Sequence, residues 1–274
     1  MSAGHALPGG ASVLGFGGSL DVAGFDLEAI DQLRAALPPT FSVDAVPHSS
    51  DAPDPSTTPA YRVVQTTEDR FEIWADDREI AVLPSIATAA VQVAARVELD
   101  LAAAATTTTV FHAGVVGWHG RALVMPGRSG AGKTTLTAAL VRAGATYYTD
   151  DFASIDVGGW IHPHRRMRPG LPDDAADGPE PPPIEPALVI ATKFEPGATW
   201  TPEARRGAGA TLDLVEHAFA VTERPDQALA AARAIAPSVA TLRGPRGEAE
   251  ELAPVLLALV DAVVANPEML TARY

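Results

Sequence analysis

Eight consecutive residues, Gly127, Arg128, Ser129, Gly130, Ala131, Gly132, Lys133 and Thr134, complete the pattern Gly-x-x-x-x-Gly-Lys-Ser/Thr of a loop that wraps phosphate. Glycines let backbone N–H groups close around a β-phosphate with no Cβ in the way, and the helix N-terminus behind them adds partial positive charge. Lys133 can reach the β- and γ-phosphates, Thr134 offers its hydroxyl to Mg²⁺, and Thr135 completes the nucleotide-binding stretch. Composition sharpens the lysine: of 20 basic residues only two are lysines, Lys133 and Lys193, and the rest are arginines. A guanidinium fork is wide and rigid where such a loop needs a compact charge on a flexible stem.

Phosphoryl transfer also needs an acid to hold the metal or activate the acceptor. Asp150 and Asp151 end the apolar run that starts at Ala145, with Asp151 only 18 positions beyond Lys133. In most proteins with this loop the metal-binding acid comes much later in the chain. Adjacent carboxylates at a strand end point to different sides, so one can face a metal and the other an incoming hydroxyl as general base. The plain alternative is a solvated turn, as expected of Asp76-Asp77.

Cations must neutralise the charge that develops on the transferred group, and arginine forks suit its oxygens. The cluster Arg165, Arg166 and Arg168, beside His162 and His164, is a candidate phosphate or acceptor contact, with a solvated rim as the alternative. Arg205 and Arg206, before a helix, and Lys193, at a strand end, are further candidates.

The elements that must position these residues are legible as alternation and helical spacing. Residues 122–125 read as a strand entering the loop and 133–143 as an amphipathic helix leaving it, stopped by Gly144. A β-type run at 110–118 precedes them, split off by His119-Gly120, and 145–156 and 160–164 read as further strands. Beyond an acidic, proline-dense stretch at 169–187, expected to be a mobile loop, come a strand at 187–195 and helices at 209–220 and 226–236. A strand at 239–243 and a helix at 248–265, with Leu252, Leu256, Leu259 and Val263 aligned, close the chain. Residues 1–105 read as a small N-terminal α/β module. Asp26 caps a helix carrying Leu27, Ile30, Leu33 and Leu37, a Pro/Ser/Asp-rich loop covers 47–60, a hairpin spans 70–84, and Ser85 caps a second helix.

Composition excludes several classes. With no cysteine in 274 residues, disulfides, thiolate zinc sites, iron–sulfur clusters and cysteine nucleophiles are ruled out. A net charge of −14 disfavours nucleic acid and anionic membrane surfaces as partners. There is no signal-peptide pattern and no unbroken apolar run of spanning length, so the cytoplasm is the expected location.

The stretch from Phe111 to Asp156 resembles the HPr kinase/phosphorylase-related family, whose nucleotide fold is shared with phosphoenolpyruvate carboxykinase. Three features agree in order and spacing: the His112-Ala113-Gly114 strand 21 residues ahead of Lys133, the glycine-rich loop, and the early Asp pair. The resemblance implies an α/β fold with a P-loop core of mixed sheet and flanking helices over 106–274, and association into homo-oligomers. It places the general base on Asp150, a metal ligand on Asp151 beside Thr134, and an active-site role on His112, whose alternative is a core histidine bonded to backbone. The function implied is an ATP- and Mg²⁺-dependent kinase acting on a serine, or threonine, of a peptide or protein, a natural-product precursor peptide among them. The N-terminal hundred residues do not match that of the full enzyme, which argues against HPr as acceptor. The alternatives are a small-molecule kinase acting on free serine or a sugar, and a non-catalytic nucleotide-binding sensor module.

Overall fold

The computed structural model describes residues 5–6, 9–46, 60–66, 68–166 and 169–266, and the chain divides into two compact units, 1–104 and 105–274. Arg168 and, apart from Ala60, the loop expected at 47–60 lie outside the described residues.

The first unit contains β1 (His5–Ala6), β2 (Gly10–Gly15), β3 (Gly18–Ala23), α1 (Leu27–Ala36), β4 (Ser42–Val46), β5 (Tyr61–Gln65), β6 (Phe71–Ala75), β7 (Arg78–Leu83) and α2 (Ile86–Ala104). Its described strands run in the order β4-β2-β3-β5-β6-β7, with β1 also on β5. Alternation puts Ala11, Val13, Val22, Val63 and Ile73 on one face, and α1 and α2 bury it with Ile30, Leu33, Val93 and Val97. Asp26 caps α1 by accepting the Ala29 N–H at 2.8 Å. Leu27, read as part of the apolar face, is instead 76 % exposed, because the first turn points its side chain away from the sheet.

The second unit holds β8 (Thr108–Trp118), β9 (Arg121–Pro126), α3 (Lys133–Arg142), β10 (Thr146–Thr149), β11 (Phe152–Asp156), β12 (Ile161–His162), β13 (Glu185–Phe194), β14 (Glu203–Arg205), α4 (Ala208–Val215), α5 (Pro225–Ile235), β15 (Ala240–Arg246) and α6 (Ala249–Ala265). The described strands lie in the order β12-β11-β8-β9-β13-β15-β14, with β10 also on β8. The sheet is mixed: β13 runs parallel to both β9 and β15, whereas β8 is antiparallel to β9 and β11.

Both faces of this sheet are buried, so its strands are apolar at successive positions rather than alternate ones. Leu123 and Met125 of β9 and Leu188 and Ile190 of β13 face α3 and α6. Ala122, Val124 and Val189 face the opposite way, onto Leu214, Ala228 and Ile235 of the α4–α5 side. Each large buried side chain contributes about 1.5–3 kcal/mol relative to exposure. In α6 the inward stripe is Leu252, Leu256, Leu257, Val260 and Val263. Leu259, expected in that stripe, is only partly buried, because the helix turns Leu257 and Val260 inward on either side of it.

The proline-dense stretch is built onto the unit at several points. Leu171 packs on Ala138 and Tyr147, Pro182 accepts a bond from the Tyr148 hydroxyl, and Ile184 bridges to Ile161. Its last residues, from Glu185, belong to β13.

Candidate functional site

The glycine-rich loop leaves β9 directly beside β8, where the Gly127 N–H donates to the His112 carbonyl at 3.2 Å. Arg128, Ser129 and Gly130 form its exposed crest, and Ala131 is held from behind by the Phe194 N–H, 3.2 Å from its carbonyl. Gly132 ends the loop with φ of +87°, a left-handed conformation that glycine adopts without strain. Its carbonyl accepts the Leu136 N–H that opens α3. The loop therefore ends where the unpaired N–H groups of a helix begin. Thr135 points outward and is exposed.

Lys133 folds back over the loop. Its Nζ lies 2.8 Å from the Gly127 carbonyl, 3.3 Å from that of Arg128, 2.8 Å from His112 Nε2 and 4.0 Å from Asp151 Oδ1. His112 Nε2 is in turn 2.6 Å from Asp151 Oδ1. One ring nitrogen can accept from an ammonium or donate to a carboxylate, but not both at once. Lys133, His112 and Asp151 therefore form one contiguous polar group beside the loop.

Asp150 and Asp151 are brought to the loop by a break between two strands. β10 and β11 pair with the same side of β8, at Val115–Gly117 and Thr108–His112, leaving the two aspartates opposite Gly114 and Ala113. The Thr149 hydroxyl accepts the N–H groups of Asp151 and Phe152 and so draws the chain out of the ladder. The Ala113 N–H donates to the Asp151 carbonyl at 3.1 Å. Gly114 is required by close packing: a Cβ there would stand 2.7 Å from Thr137 Oγ1 on α3 and 3.8 Å from the Asp150 Cα. The small His-Ala-Gly segment thus lets α3 and the Asp pair approach β8 together.

The two carboxylates then diverge. Asp150 is only 2 % exposed; its Oδ2 accepts from Thr134 Oγ1 at 2.7 Å, and Tyr147 places its hydroxyl 3.1 Å from Oδ1. The Asp151 side chain is 23 % exposed and faces His112 and Lys133. The resemblance sets Thr134 beside Asp151; the geometry sets it beside Asp150. Thr134, Asp150 and Asp151 supply oxygen donors, the type a hard cation such as Mg²⁺ prefers. Among the described residues no three His, Asp or Glu side chains gather into a metal cluster.

The arginine candidates separate. Arg165 donates to the carbonyls of Asp177 and Gly178, in the proline-dense stretch, and the Arg166 carbonyl lies 3.0 Å from the Tyr147 hydroxyl that touches Asp150. Arg205 pairs with buried Asp213 at 3.0 Å, and with Arg206 it lines a different crevice, along β15 and away from the loop. Lys193 does reach the loop: with Gly127, Arg128 and Ala131 it lines a crevice of about 370 Å³ beyond the ends of β9, β13 and β15.

That crevice also contains residues that sequence reasoning missed, Glu216, His217 and Arg243. Arg243 is held by Asp213 at 2.5 Å. His217 lies beside β8, its carbonyl accepting the His112 N–H at 2.7 Å. Burial above all pushes its imidazole below the usual histidine value; Glu216 pulls the other way, and the neighbouring Lys133 and Arg128 add smaller contributions to the lowering. Arg246, also missed, lies buried behind Gly132. No spacing rule links these residues to a loop so far away in sequence.

No protein-family model matches the chain, and no curated protein matches it. Among solved structures, the HPr(Ser) kinase/phosphatase from Coxiella burnetii is similar at a TM-score of 0.34 and 16 % identity, over 58 % of this chain and 98 % of that one. No helix among the described residues is long and apolar enough to cross a membrane.

Proposed function

We propose that the chain is an ATP- and Mg²⁺-dependent kinase that moves the γ-phosphoryl group to a serine, or threonine, hydroxyl of a peptide or protein. The observation that carries this reading is the convergence of Lys133, His112, Thr134, Asp150 and Asp151 at one end of β9. A buried carboxylate on the loop threonine and a second one beside the loop lysine are the groups such a transfer needs.

In this reading the loop N–H groups and Lys133 hold the β- and γ-phosphates. Thr134, steadied by Asp150, would hold Mg²⁺, which when bound would neutralise charge on the phosphate oxygens. Asp150, enclosed and bonded to Thr134 and Tyr147, is poorly placed to reach an acceptor. Asp151 is the better base. It takes the hydroxyl proton as the hydroxyl oxygen bonds to the γ-phosphorus and the bond to the β–γ bridging oxygen breaks, leaving ADP. His112, bonded to Asp151, steadies that proton. Lys193 and Arg243 add positive charge at the crevice rim. A second reading, a small-molecule hydroxyl as acceptor, is favoured by the size of that crevice, about 370 Å³.

The test is transfer of label from γ-labelled ATP to a serine- and threonine-containing peptide library, to free serine and to sugars. Label in peptides supports the first reading and label in the small molecules the second. No transfer and no ATP binding would overturn both.

A further inference from the structure

Arg246 closes β15 and is 1 % exposed, a long charged side chain inside a protein that carries 34 acidic residues. Its Nη1 donates to the Gly247 carbonyl and its Nη2 to the Gly132 carbonyl, both at 2.8 Å. The guanidinium lies over the Phe194 ring at 5.5 Å, and its Nε has no hydrogen-bond partner. Among the described residues no carboxylate comes within ion-pair distance of it. Burial pushes its pKa down from the usual arginine value, while Glu248 and Glu250 pull the other way without touching it.

An unpaired buried ion costs several kcal/mol, and an apolar side chain of similar volume in its place is commonly neutral or stabilising. Packing alone does not explain this choice of residue. What Arg246 does touch is the last residue of the glycine-rich loop, from the side opposite the loop interior: a Cβ on Gly132 would lie 2.5 Å from its Nη2. The Gly132 carbonyl, accepting both Arg246 and the Leu136 N–H, is turned outward, and the neighbouring Ala131 carbonyl is turned onto the Phe194 N–H. Carbonyls drawn outward leave the N–H groups at the start of α3 to face an anion, while those of Gly127 and Ala131 donate to the His112 and Arg128 carbonyls.

We propose that Arg246 is a positioning residue for this loop: a buried guanidinium that holds the Gly132 carbonyl outward and places a fixed positive charge behind the loop, which a bound polyphosphate anion would complement. This rests on the reading of 127–134 as a phosphate loop given above. It adds a residue of β15, two strands away from β9, to the binding machinery. It also makes the ligand-free protein carry a destabilising charge whose benefit appears only on binding, so stability and affinity respond to its removal in opposite directions.

The experiment compares the full-length chain with Arg246→Met, Arg246→Gln and Arg246→Lys. It measures the urea midpoint without ligand, and the affinity for ATP and for inorganic pyrophosphate with Mg²⁺ present. Met and Gln are expected to weaken both ligands by about tenfold or more, leaving the ligand-free midpoint unchanged or raised. Lys, which keeps the charge but loses the fork and its stacking on Phe194, is expected to lie between the unchanged chain and Gln. A lowered ligand-free midpoint with affinity retained overturns the proposal and makes Arg246 structural. Equal weakening by Gln and Lys overturns the role of its charge, and this pair decides the matter even where the Met variant does not fold. An unchanged chain that binds neither ATP nor pyrophosphate overturns the phosphate-loop reading itself. Binding by the unchanged chain and equally by all variants overturns only the role of Arg246.

Discussion

Asp76-Asp77 and Asp150-Asp151 are the same dipeptide, and each follows a strand, yet they meet different surroundings. Asp76-Asp77 makes the turn between β6 and β7; both residues are exposed, and Asp76 takes a left-handed φ of +51°. Asp150-Asp151 lies between two strands that share one neighbour, with a helix packed above it and the glycine-rich loop beside it. Both residues of the first pair are open to water. The second is held by Thr134, Tyr147, His112 and Lys133, each within contact distance of a carboxylate oxygen. Chemistry at a carboxylate is thus set by what the fold places around it, and the difference can be probed from either side.

The largest expected effect lies at the second pair. Asp151→Asn is expected to lower phosphoryl transfer by about 10²- to 10⁴-fold, the usual contribution of a general base, with ATP affinity retained. Asp150→Asn is expected instead to raise the Mg²⁺ concentration needed for half-maximal ATP binding, because it loosens Thr134. Steady-state kinetics and Mg²⁺ titrations separate the two, and interchanged phenotypes would return the base to Asp150.

Next in size is the packing that encloses the pair. Gly114→Val drives a side chain into Thr137 and is expected to destabilise the chain by about 1–3 kcal/mol, read as a lower urea midpoint. Unchanged stability would mean that α3 does not need the close approach to β8.

A smaller effect concerns pH. The folded His217 imidazole binds its proton less readily than the unfolded one, so acidification favours the unfolded chain. Stability is expected to be fully present above about pH 6.5, the unfolded histidine value, and to fall as pH drops below it. His217→Gln is expected to flatten that slope in urea midpoints measured between about pH 5 and pH 7.5. An identical slope in the variant would place the titrating group elsewhere. Smallest of all, Asp77→Asn is expected to change stability by less than about 0.5 kcal/mol and transfer not at all. A measurable loss of transfer there would break the contrast between the two pairs.

Part of this arrangement is legible in the sequence because it is local. The glycine-rich loop, its entering strand and its leaving helix occupy one contiguous stretch, and the Asp pair follows one helix and one strand later. The partnership of Thr134 with Asp150 is not legible. Strand alternation says that neighbouring carboxylates diverge, but not which one meets the helix; that depends on where α3 settles over Gly114. Arg246 and His217 are less legible still. Each reaches the loop only through the pairing of distant segments, β15 with β13 and the stretch after α4 with β8. Arg205 shows the converse: it precedes a helix as expected, yet buried Asp213 holds it away from the loop.

All of these contrasts depend on the loop at 127–134 holding the phosphates of a nucleotide through Lys133. The most direct measurement is calorimetric titration of MgATP into the unchanged chain and into Lys133→Met. The predicted result is one ATP bound per unchanged chain, and an affinity lower by about 50-fold or more in the variant, as expected when a charged hydrogen-bond donor is lost. Equal affinity in the two proteins, or no binding to the unchanged chain, would contradict it.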